Sequence, residues 1–396
     1  MPMTEALPTA KPEEVGLSQA ALDRLSAALN DRIANGHIPG AVALVARHGK
    51  IAYHQAFGRL DPASDKPMGT DAIFRIYSMT KSIVSVAVMM LWEEGRLLLG
   101  DPISKYIPAF AGTRVGVVSG DSYTLAPAAT PITVQDLLRH TSGLTYEFRG
   151  AGPIHKAYGQ ARIGRLNQSN ADQVAELAAL PLLHQPGTVW EYSRSTDVLG
   201  RLVEIVSGQT LGAFLKQRIL TPLGMTDTGF SVPEADQDRI AEPFAKDPEG
   251  GADVALLEVR RPAMFESGGG GLVASALDYA RFMAMLLGNG RLGATRLLGR
   301  KTVELMTSDH LGTITGATDL LPPGHGFGLG FAVRTHAGMA PFPGSVGNYY
   351  WSGMAGTTFW VDPTERLYAV LMIQAPVQRE YYRVLFRDLV YAAVAD

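Results

Sequence analysis

The two ends of this chain carry the same pair of elements in mirrored order, which restricts the folds open to it. At the front, residues 18–34 place apolar side chains at helical spacing, and two apolar runs, 41–46 and 51–57, follow across a short turn. At the back the order is reversed, with two strand-like runs and then a helical segment: residues 357–361, 367–374 and 379–395. We therefore predict that both ends build one antiparallel sheet with helices packed on it.

The middle of the chain is dominated by helical spacing. The helical segments are 78–95, 133–139, 171–179, 195–206 and 210–219. Residues 108–131 and 145–170 are rich in small residues without a clear period and are predicted to be loops. The prediction is an α+β chain with an α/β domain (1–82 and 232–396), whose antiparallel sheet is flanked by the N- and C-terminal helices. A mostly helical domain (83–231) completes it.

Composition excludes several classes of function. The 396 residues carry a net charge of −3, which provides no basic field for nucleic acid or for an anionic membrane surface. The chain has no cysteine, and its nine histidines lack metalloprotease spacing, so we expect no cofactor and no catalytic metal. The N-terminus lacks the pattern of a secretory signal, and the most apolar stretch, 83–92, is half the length of a membrane span. We predict a cytoplasmic enzyme, with the oligomeric state left open.

The first chemical signal is a Ser-x-x-Lys motif that occurs once, at Ser78 and Lys81. It opens the apolar helical segment, so both side chains are expected on one helix face, beside the unpaired N–H groups of the helix N-terminus. Ser78 could then be a nucleophile and Lys81 the base that takes its proton. That role requires burial or nearby cations to lower the pKa of Lys81 below its usual value of about 10.4. By itself, the motif also fits a capping serine and a solvated lysine.

Two later segments could complete such a site. Tyr192 comes directly before a predicted helix, and its phenol could carry a proton to a leaving group if the cations Lys81 and Arg194 lie close to it. Residues 350–358 are a strand start rich in small residues, where Met354 N–H and Ser78 N–H could both donate to a developing oxyanion. A half-buried core tyrosine and a glycine-softened edge strand are the alternative interpretations.

Several aromatic residues could form an apolar wall of the pocket. They are Trp351, Tyr349, Tyr350, Tyr146 and Phe148. Ligand sites are usually lined in this way, but the same residues could equally belong to the core.

Together, the three motifs resemble the penicillin-recognising serine hydrolases, which carry Ser-x-x-Lys, then Tyr-x-Asn, then Lys-Thr-Gly or His-Thr-Gly in this order. Supporting segments typical of the class C β-lactamase-like branch lie at 38–42, 137–144, 222–225 and 268–272. Two departures stand out. Trp351-Ser352-Gly353 replaces Lys-Thr-Gly, and Arg194 stands where Asn is expected after the tyrosine. An indole in place of a cation removes the attraction for a substrate carboxylate and adds stacking surface.

With Trp-x-Gly in the last motif, the chain is similar to the family VIII carboxylesterases. This resemblance implies a β-lactamase-like fold with the active site between the two domains, acylation of Ser78 by a small, short-chain ester, assistance from Lys81 and Tyr192, and attack of water on the acyl-enzyme. The residues then expected to bind substrate are Trp351, Ser352, Gly353, Arg194, Tyr146 and Tyr350.

Other functions remain open on the same motifs. A β-lactamase or D-amino-acid peptidase would use the same nucleophile, and an acyltransferase would pass the acyl group to an alcohol. A non-catalytic binding protein that kept the scaffold is the alternative of another class, and the presence of all three reactive side chains argues against it. The α/β-hydrolase mechanism lacks its Gly-x-Ser-x-Gly elbow here.

Overall fold

A central antiparallel sheet of seven strands organises the protein, in a computed structural model that describes residues 6–316 and 319–396. The strands in the described residues are Gly40–Arg47 (β1), Lys50–Gly58 (β2), Phe74–Arg75 (β3), Arg114–Ser119 (β4), Ser122–Pro127 (β5), Val273–Ala274 (β6), Arg291–Leu292 (β7), Thr295–Arg296 (β8), His325–Phe327 (β9), Ala332–Arg334 (β10), Tyr349–Ser352 (β11), Thr358–Asp362 (β12) and Leu367–Met372 (β13). The central sheet has the order β2-β1-β13-β12-β11-β10-β9, and the other six strands form three small pairs.

The two ends of the chain meet in the middle of this sheet. Strand β1 pairs with β13, so that Val42 lies opposite Met372. The hairpin between β1 and β2 turns through His48 and Gly49, both with positive φ (51° and 77°), which matches the turn that best joins two twisted strands. The prediction that both termini build one antiparallel sheet is confirmed.

Helices cover the sheet and form most of the middle of the chain. They are Gln19–Ala34 (α1), Thr80–Glu93 (α2), Val134–Leu138 (α3), Pro153–Ala161 (α4), Asn170–Ala178 (α5), Ser195–Ser207 (α6), Leu211–Leu215 (α7), Thr221–Leu223 (α8), Ala276–Leu287 (α9), Arg300–Met306 (α10) and Arg379–Tyr391 (α11). A π-helical turn, Lys216–Leu220, joins α7 to α8, so the predicted helix 210–219 is interrupted.

Alternate side chains of the sheet enter two different apolar cores. Ala43 of β1 faces the core that contains Leu25 of α1 and Phe386 of α11. Leu44, its neighbour, faces the larger core that continues through α2 and into the helical part. This alternation is the period of two of a β-strand, buried on both faces. Helix α2 is buried along most of its length, which explains why its sequence is apolar on all sides.

Two segments predicted to be loops contain regular structure. Residues 108–131 include the hairpin of β4 and β5, and residues 145–170 include α4. Most residues of the hairpin are exposed or half-buried, so its sequence has no run of buried apolar side chains. Helix α4 buries only Ile154 and Tyr158, so its sequence offers few apolar positions from which a helical period could be recognised. The division at 82/83 and 231/232 stays a prediction, since the larger core runs across it.

Among the described residues, no single helix is long and apolar enough to cross a membrane. Helix α6 and the segment Leu211–Leu223, bent by 76° from each other, pass that test together by length and composition alone.

Candidate active site

The candidate site begins at a strained turn before α2. Ser78 lies in a 3₁₀ turn, Tyr77–Met79, and α2 starts directly after it, at Thr80 rather than at the predicted residue 78. Tyr77 has a φ of 42°, a conformation that is costly for a bulky residue and needs support from its surroundings. Its hydroxyl provides such support by accepting a hydrogen bond from the Leu257 N–H at 2.8 Å. The turn therefore holds Ser78 at the N-terminal end of a buried helix.

Lys81 is almost fully buried behind Ser78, with 1% of its surface exposed. Its Nζ donates to Ser78 Oγ at 3.2 Å, to Tyr146 Oη at 3.0 Å and to the Gly269 carbonyl at 2.6 Å. These three contacts match the three donors of an ammonium group. Lys81 is therefore placed to stabilise negative charge on the serine oxygen.

The charge state of Lys81 differs from the expectation drawn from the sequence. Burial by itself lowers the pKa of this lysine, as expected, but the adjacent hydroxyls of Tyr146 and Tyr192 outweigh burial and raise the pKa above its usual value. The expectation of a lowered lysine pKa is therefore wrong, because the sequence could not show two tyrosines converging on one amine. The raised pKa favours the ammonium form of Lys81 in this arrangement.

Tyr192 reaches the same point from the segment before α6. Its ring centre lies 4.6 Å from Lys81 Nζ, and its hydroxyl accepts a hydrogen bond from Trp351 Nε1 at 3.2 Å. The ring also packs against His140, whose Nδ1 lies 3.2 Å from Ser193 Oγ. The structure thus brings Ser78, Lys81 and Tyr192 together, although their catalytic roles stay predictions.

Asp197 and Gly269 belong to the site but were missed in the sequence. The Gly269 carbonyl accepts from Lys81, and its N–H donates to Asp197 Oδ1 at 2.9 Å. Asp197 is 4% exposed and also accepts from Ser267 Oγ at 2.6 Å. The acid therefore fixes the glycine that holds the lysine. The only available signal was an acidic residue in the first turn of α6 beside a glycine-rich run, which does not specify their contact.

Strand β11 forms the opposite wall and ends next to the nucleophile. A Cβ added to Gly353 would lie 2.5 Å from the carbonyl oxygen of Ile76, so only glycine lets the strand approach the turn before Ser78 so closely. Met354 follows and lines the same cavity as Ser78. This placement is compatible with an oxyanion site made by Ser78 N–H and Met354 N–H, which stays a prediction.

The cavity in front of Ser78 has a volume of about 770 Å³, and nine aromatic residues are part of its lining. Five of the six residues expected to bind substrate line it: Trp351, Ser352, Arg194, Tyr146 and Tyr350. Gly353 does not, because it faces the backbone of the turn before Ser78. Phe148 also lines the cavity, whereas Tyr349 lies in the core.

Arg194 is occupied by acidic partners rather than directed at a ligand. Its Nη2 donates to Glu147 at 2.9 Å, and its Nη1 lies 3.7 Å from Asp197. Its guanidinium also stacks 5.1 Å from the ring centre of Tyr146. Arg194 therefore braces Tyr146, which in turn contacts Lys81. Within 6–316 and 319–396, no cluster of three or more His, Asp or Glu residues could hold a metal ion.

Comparison with known proteins decides the family. The sequence matches the family described as Beta-lactamase over residues 23–392. The chain belongs to the β-lactamase family. Esterase EstB of Burkholderia gladioli is 32% identical over 392 residues, which cover 93% of this chain and 95% of that protein. An uncharacterized protein of Mycobacterium tuberculosis is 37% identical over 363 residues, covering 89% and 90% of the two chains.

A solved structure extends this family relationship to three dimensions. EstCE1, described as a hydrolase with promiscuous acyltransferase activity, superimposes with a TM-score of 0.80 at 29% identity, covering 94% of this chain and 99% of its own. The predicted β-lactamase-like fold and the resemblance to family VIII carboxylesterases are confirmed. The protein is a serine hydrolase of this family.

Proposed function

We propose that the protein is a carboxylesterase that hydrolyses small, short-chain esters through an acyl-enzyme on Ser78. The observation that carries this proposal is the contact between Trp351 and Tyr192, in which an indole N–H donates to the phenol oxygen beside the Ser78–Lys81 pair. An apolar ring stands where a cation would attract a carboxylate next to the scissile bond. The similarity to the esterase EstB supports the same conclusion.

Acylation follows from the positions of these groups. Ser78 Oγ attacks the ester carbonyl, and the serine proton passes to the Tyr192 oxygen. The Trp351 indole N–H donates to this oxygen, and the Lys81 ammonium lies 4.6 Å from the centre of the Tyr192 ring, so both offset negative charge that develops there. When the tetrahedral intermediate collapses, the bond to the alcohol oxygen breaks, and Tyr192 returns the proton to the departing alkoxide. Tyr192 is then ready to carry a proton again in the second half of the reaction.

Deacylation repeats the same proton movements with water as the nucleophile. The water loses a proton to Tyr192 as its oxygen bonds to the acyl carbonyl. The bond between that carbon and Ser78 Oγ then breaks, and Tyr192 protonates the released serine. In both halves, Ser78 N–H and Met354 N–H are the proposed donors to the oxyanion. Lys81 keeps its proton throughout and offsets the negative charge.

Transfer of the acyl group to an alcohol is a second candidate activity. It requires only that an alcohol replaces water in deacylation, and EstCE1 is described as having this activity. The aromatic lining of the cavity could hold an alcohol as well as an acyl group. Adding methanol to an ester assay, with products separated by chromatography, measures the fraction of acyl groups transferred.

Covalent labelling tests the proposed nucleophile. A fluorophosphonate should phosphonylate the native protein once, and peptide mapping should place the adduct on Ser78. The Ser78→Ala variant should remain unlabelled. Ser82→Ala is the matched control, because Ser82 lies on the same helix but is buried and bonded to the Gly330 carbonyl, and it should label like wild type. An adduct elsewhere, or none, would favour a non-catalytic binding protein or another nucleophile.

A further inference from the structure

One arm of the cavity runs along helix α11, away from Ser78. Five residues of one helix face line it: Arg379, Glu380, Arg383, Val384 and Arg387. Their spacing of three and four places them in two adjacent rows on the helix. Three of the five are arginines, so this arm differs in charge from the aromatic region around Trp351.

Two of these arginines are engaged by neighbouring groups. Arg379 donates to the Pro376 carbonyl at 2.7 Å and lies 3.4 Å from Glu380. Arg383 donates to Glu380 and, at 2.5 Å, to the Gly353 carbonyl. These contacts give both side chains a structural explanation.

Arg387 has no comparable partner. It is 6% exposed, and in the described part of the chain it makes no hydrogen bond or ion pair, with Nη1 fully enclosed and unpaired. Its guanidinium carbon lies 4.6 Å from the ring centre of Tyr350 and 4.9 Å from that of Phe342. Ring contacts hold a guanidinium in place but satisfy few of its five donors. A buried cation without a counter-charge is costly unless a ligand supplies one.

The surroundings of Arg387 add positive charge and a second free donor. The Tyr350 hydroxyl is also buried without a hydrogen-bond partner among the described residues, and Tyr350 lines the same arm. Arg334 contributes another nearby cation. Of the carboxylates around this arm, Asp362 is already occupied, since its Oδ2 accepts from Ser345 N–H at 3.0 Å and from Tyr391 Oη at 2.6 Å. Glu380 accepts from Arg383, and Asp388 is exposed to solvent. The arm is therefore built to receive an anion.

We propose that Arg387 and Tyr350 form a carboxylate-binding subsite, through which the protein also hydrolyses longer esters that carry a carboxylate remote from the scissile bond. This inference rests on the proposed esterase function. A carboxylate would accept from the guanidinium and from the phenol, which are charge-assisted bonds of the stronger kind. It would also supply the counter-charge that Arg387 lacks.

The separation between the proposed oxyanion donor and Arg387 determines how long such a substrate must be. Arg383 contacts the Gly353 carbonyl, one residue before the proposed oxyanion donor Met354. Arg387 lies one helical turn farther along α11, about 5.4 Å to 6 Å from Arg383. A carboxylate adjacent to the reacting carbonyl would not reach it. The substrate therefore needs a spacer of several atoms between ester and carboxylate.

A series of p-nitrophenyl half-esters of linear dicarboxylic acids, from adipate to sebacate, tests the subsite in wild type. Each is compared with the same compound carrying a methyl ester at the distal end. At the best length, the carboxylate form should have a kcat/KM at least tenfold higher than that of its neutral partner. Acetate esters of ω-hydroxy carboxylic acids and their methyl esters place the carboxylate on the alcohol side. The series with the larger preference identifies the side that faces α11, and no preference at any length in either series would overturn the proposal.

Three variants test which side chain produces the preference for the carboxylate ester over the neutral ester. Arg387→Met should remove the preference for the carboxylate ester while changing kcat/KM for the neutral ester by less than twofold. Tyr350→Phe should reduce the preference about threefold to tenfold. Arg379→Met is the control for general electrostatics, because it removes a charge from the same helix face, and it should leave the preference unchanged. Equal losses on both esters in Arg387→Met, or the same loss of preference in Arg379→Met, would contradict the subsite.

Direct binding separates this inference from the esterase proposal. Calorimetric titration should show that the Ser78→Ala variant binds suberate. Adding Arg387→Met to that variant should weaken the affinity for suberate at least tenfold. Failure of ester hydrolysis with retained suberate binding would refute the proposed function alone. Hydrolysis of neutral esters without suberate binding would refute the subsite alone.

Discussion

The two walls of the cavity differ in the features of a substrate with which they interact. The wall that contains the start of α2 and the segment before α6 brings Ser78, Lys81 and Tyr192 together around buried hydrogen bonds. The wall formed by β11 presents Trp351 in place of a cation, and the free arginine, Arg387, lies farther away on α11. We therefore expect the first wall to supply the acyl-transfer chemistry. The second determines which acyl compounds approach it.

Apart from removal of the nucleophile itself, replacing the charge on the first wall should have the largest effect. Lys81→Met retains the volume of the side chain but removes the cation beside Ser78 Oγ, so kcat/KM for a short-chain p-nitrophenyl ester should fall about 10³-fold. Steady-state kinetics of purified protein checks this, with the thermal midpoint reported for both forms. A loss below tenfold would mean that the lysine contributes structure alone.

The pH dependence of kcat/KM tests the role of Lys81. Because its pKa is raised, the ammonium form persists across the neutral range, and the loss of activity caused by its deprotonation should appear only above about pH 10. The profile of kcat/KM from about pH 6 to 10 in Tyr192→Phe should therefore lack a rising limb. A rising limb in that variant would indicate that the free amine of Lys81 is the base.

Removing one phenol should have the next largest effect. Tyr192→Phe should lower kcat/KM about 10²-fold or more, because it deletes the proposed proton carrier. Tyr146→Phe is the matched comparison, since it also removes a hydroxyl next to Lys81, and it should cost about tenfold. The opposite order of effects would assign the proton relay to Tyr146.

Changes in the wall formed by β11 should alter the preference between ester and cephalosporin more than they alter the overall rate. Trp351→Lys should raise kcat/KM for a chromogenic cephalosporin about tenfold and lower that for a neutral ester by a similar factor, since it exchanges stacking surface for a cation. Trp351→Phe keeps an aromatic ring but loses the hydrogen bond to Tyr192, so ester hydrolysis should fall only severalfold. If Trp351→Lys gains nothing on the cephalosporin, Trp351 does not set the preference.

The framework of the fold was predictable, and its irregular parts were not. That both ends of the chain contribute to one antiparallel sheet followed from the strong apolar runs at both termini, whereas the pairing of β1 with β13 itself was not predicted. The hairpin Arg114–Pro127, formed by β4 and β5, was missed because most of its side chains are exposed or half-buried, which gives a weak pattern. The 3₁₀ turn before α2 was missed because its geometry depends on the contact between Tyr77 and Leu257, far apart in sequence.

The candidate site was predictable where one motif carried the chemistry and unpredictable where contacts decide it. Ser78, Lys81 and Tyr192 were identified from motif order and converge in the structure. The raised pKa of Lys81 depends on the arrival of two tyrosines from other segments, and the free state of Arg387 depends on which carboxylates are already occupied. Neither the raised pKa of Lys81 nor the lack of a partner for Arg387 can be predicted from a local sequence pattern.

The most direct test of the account measures hydrolysis of p-nitrophenyl butyrate and of a chromogenic cephalosporin by wild type and Ser78→Ala. We expect ester turnover by wild type, a cephalosporin kcat/KM at least about 100-fold lower, and loss of ester hydrolysis by about 10⁴-fold or more in Ser78→Ala. A better rate on the cephalosporin, or full esterase activity in Ser78→Ala, would contradict the account.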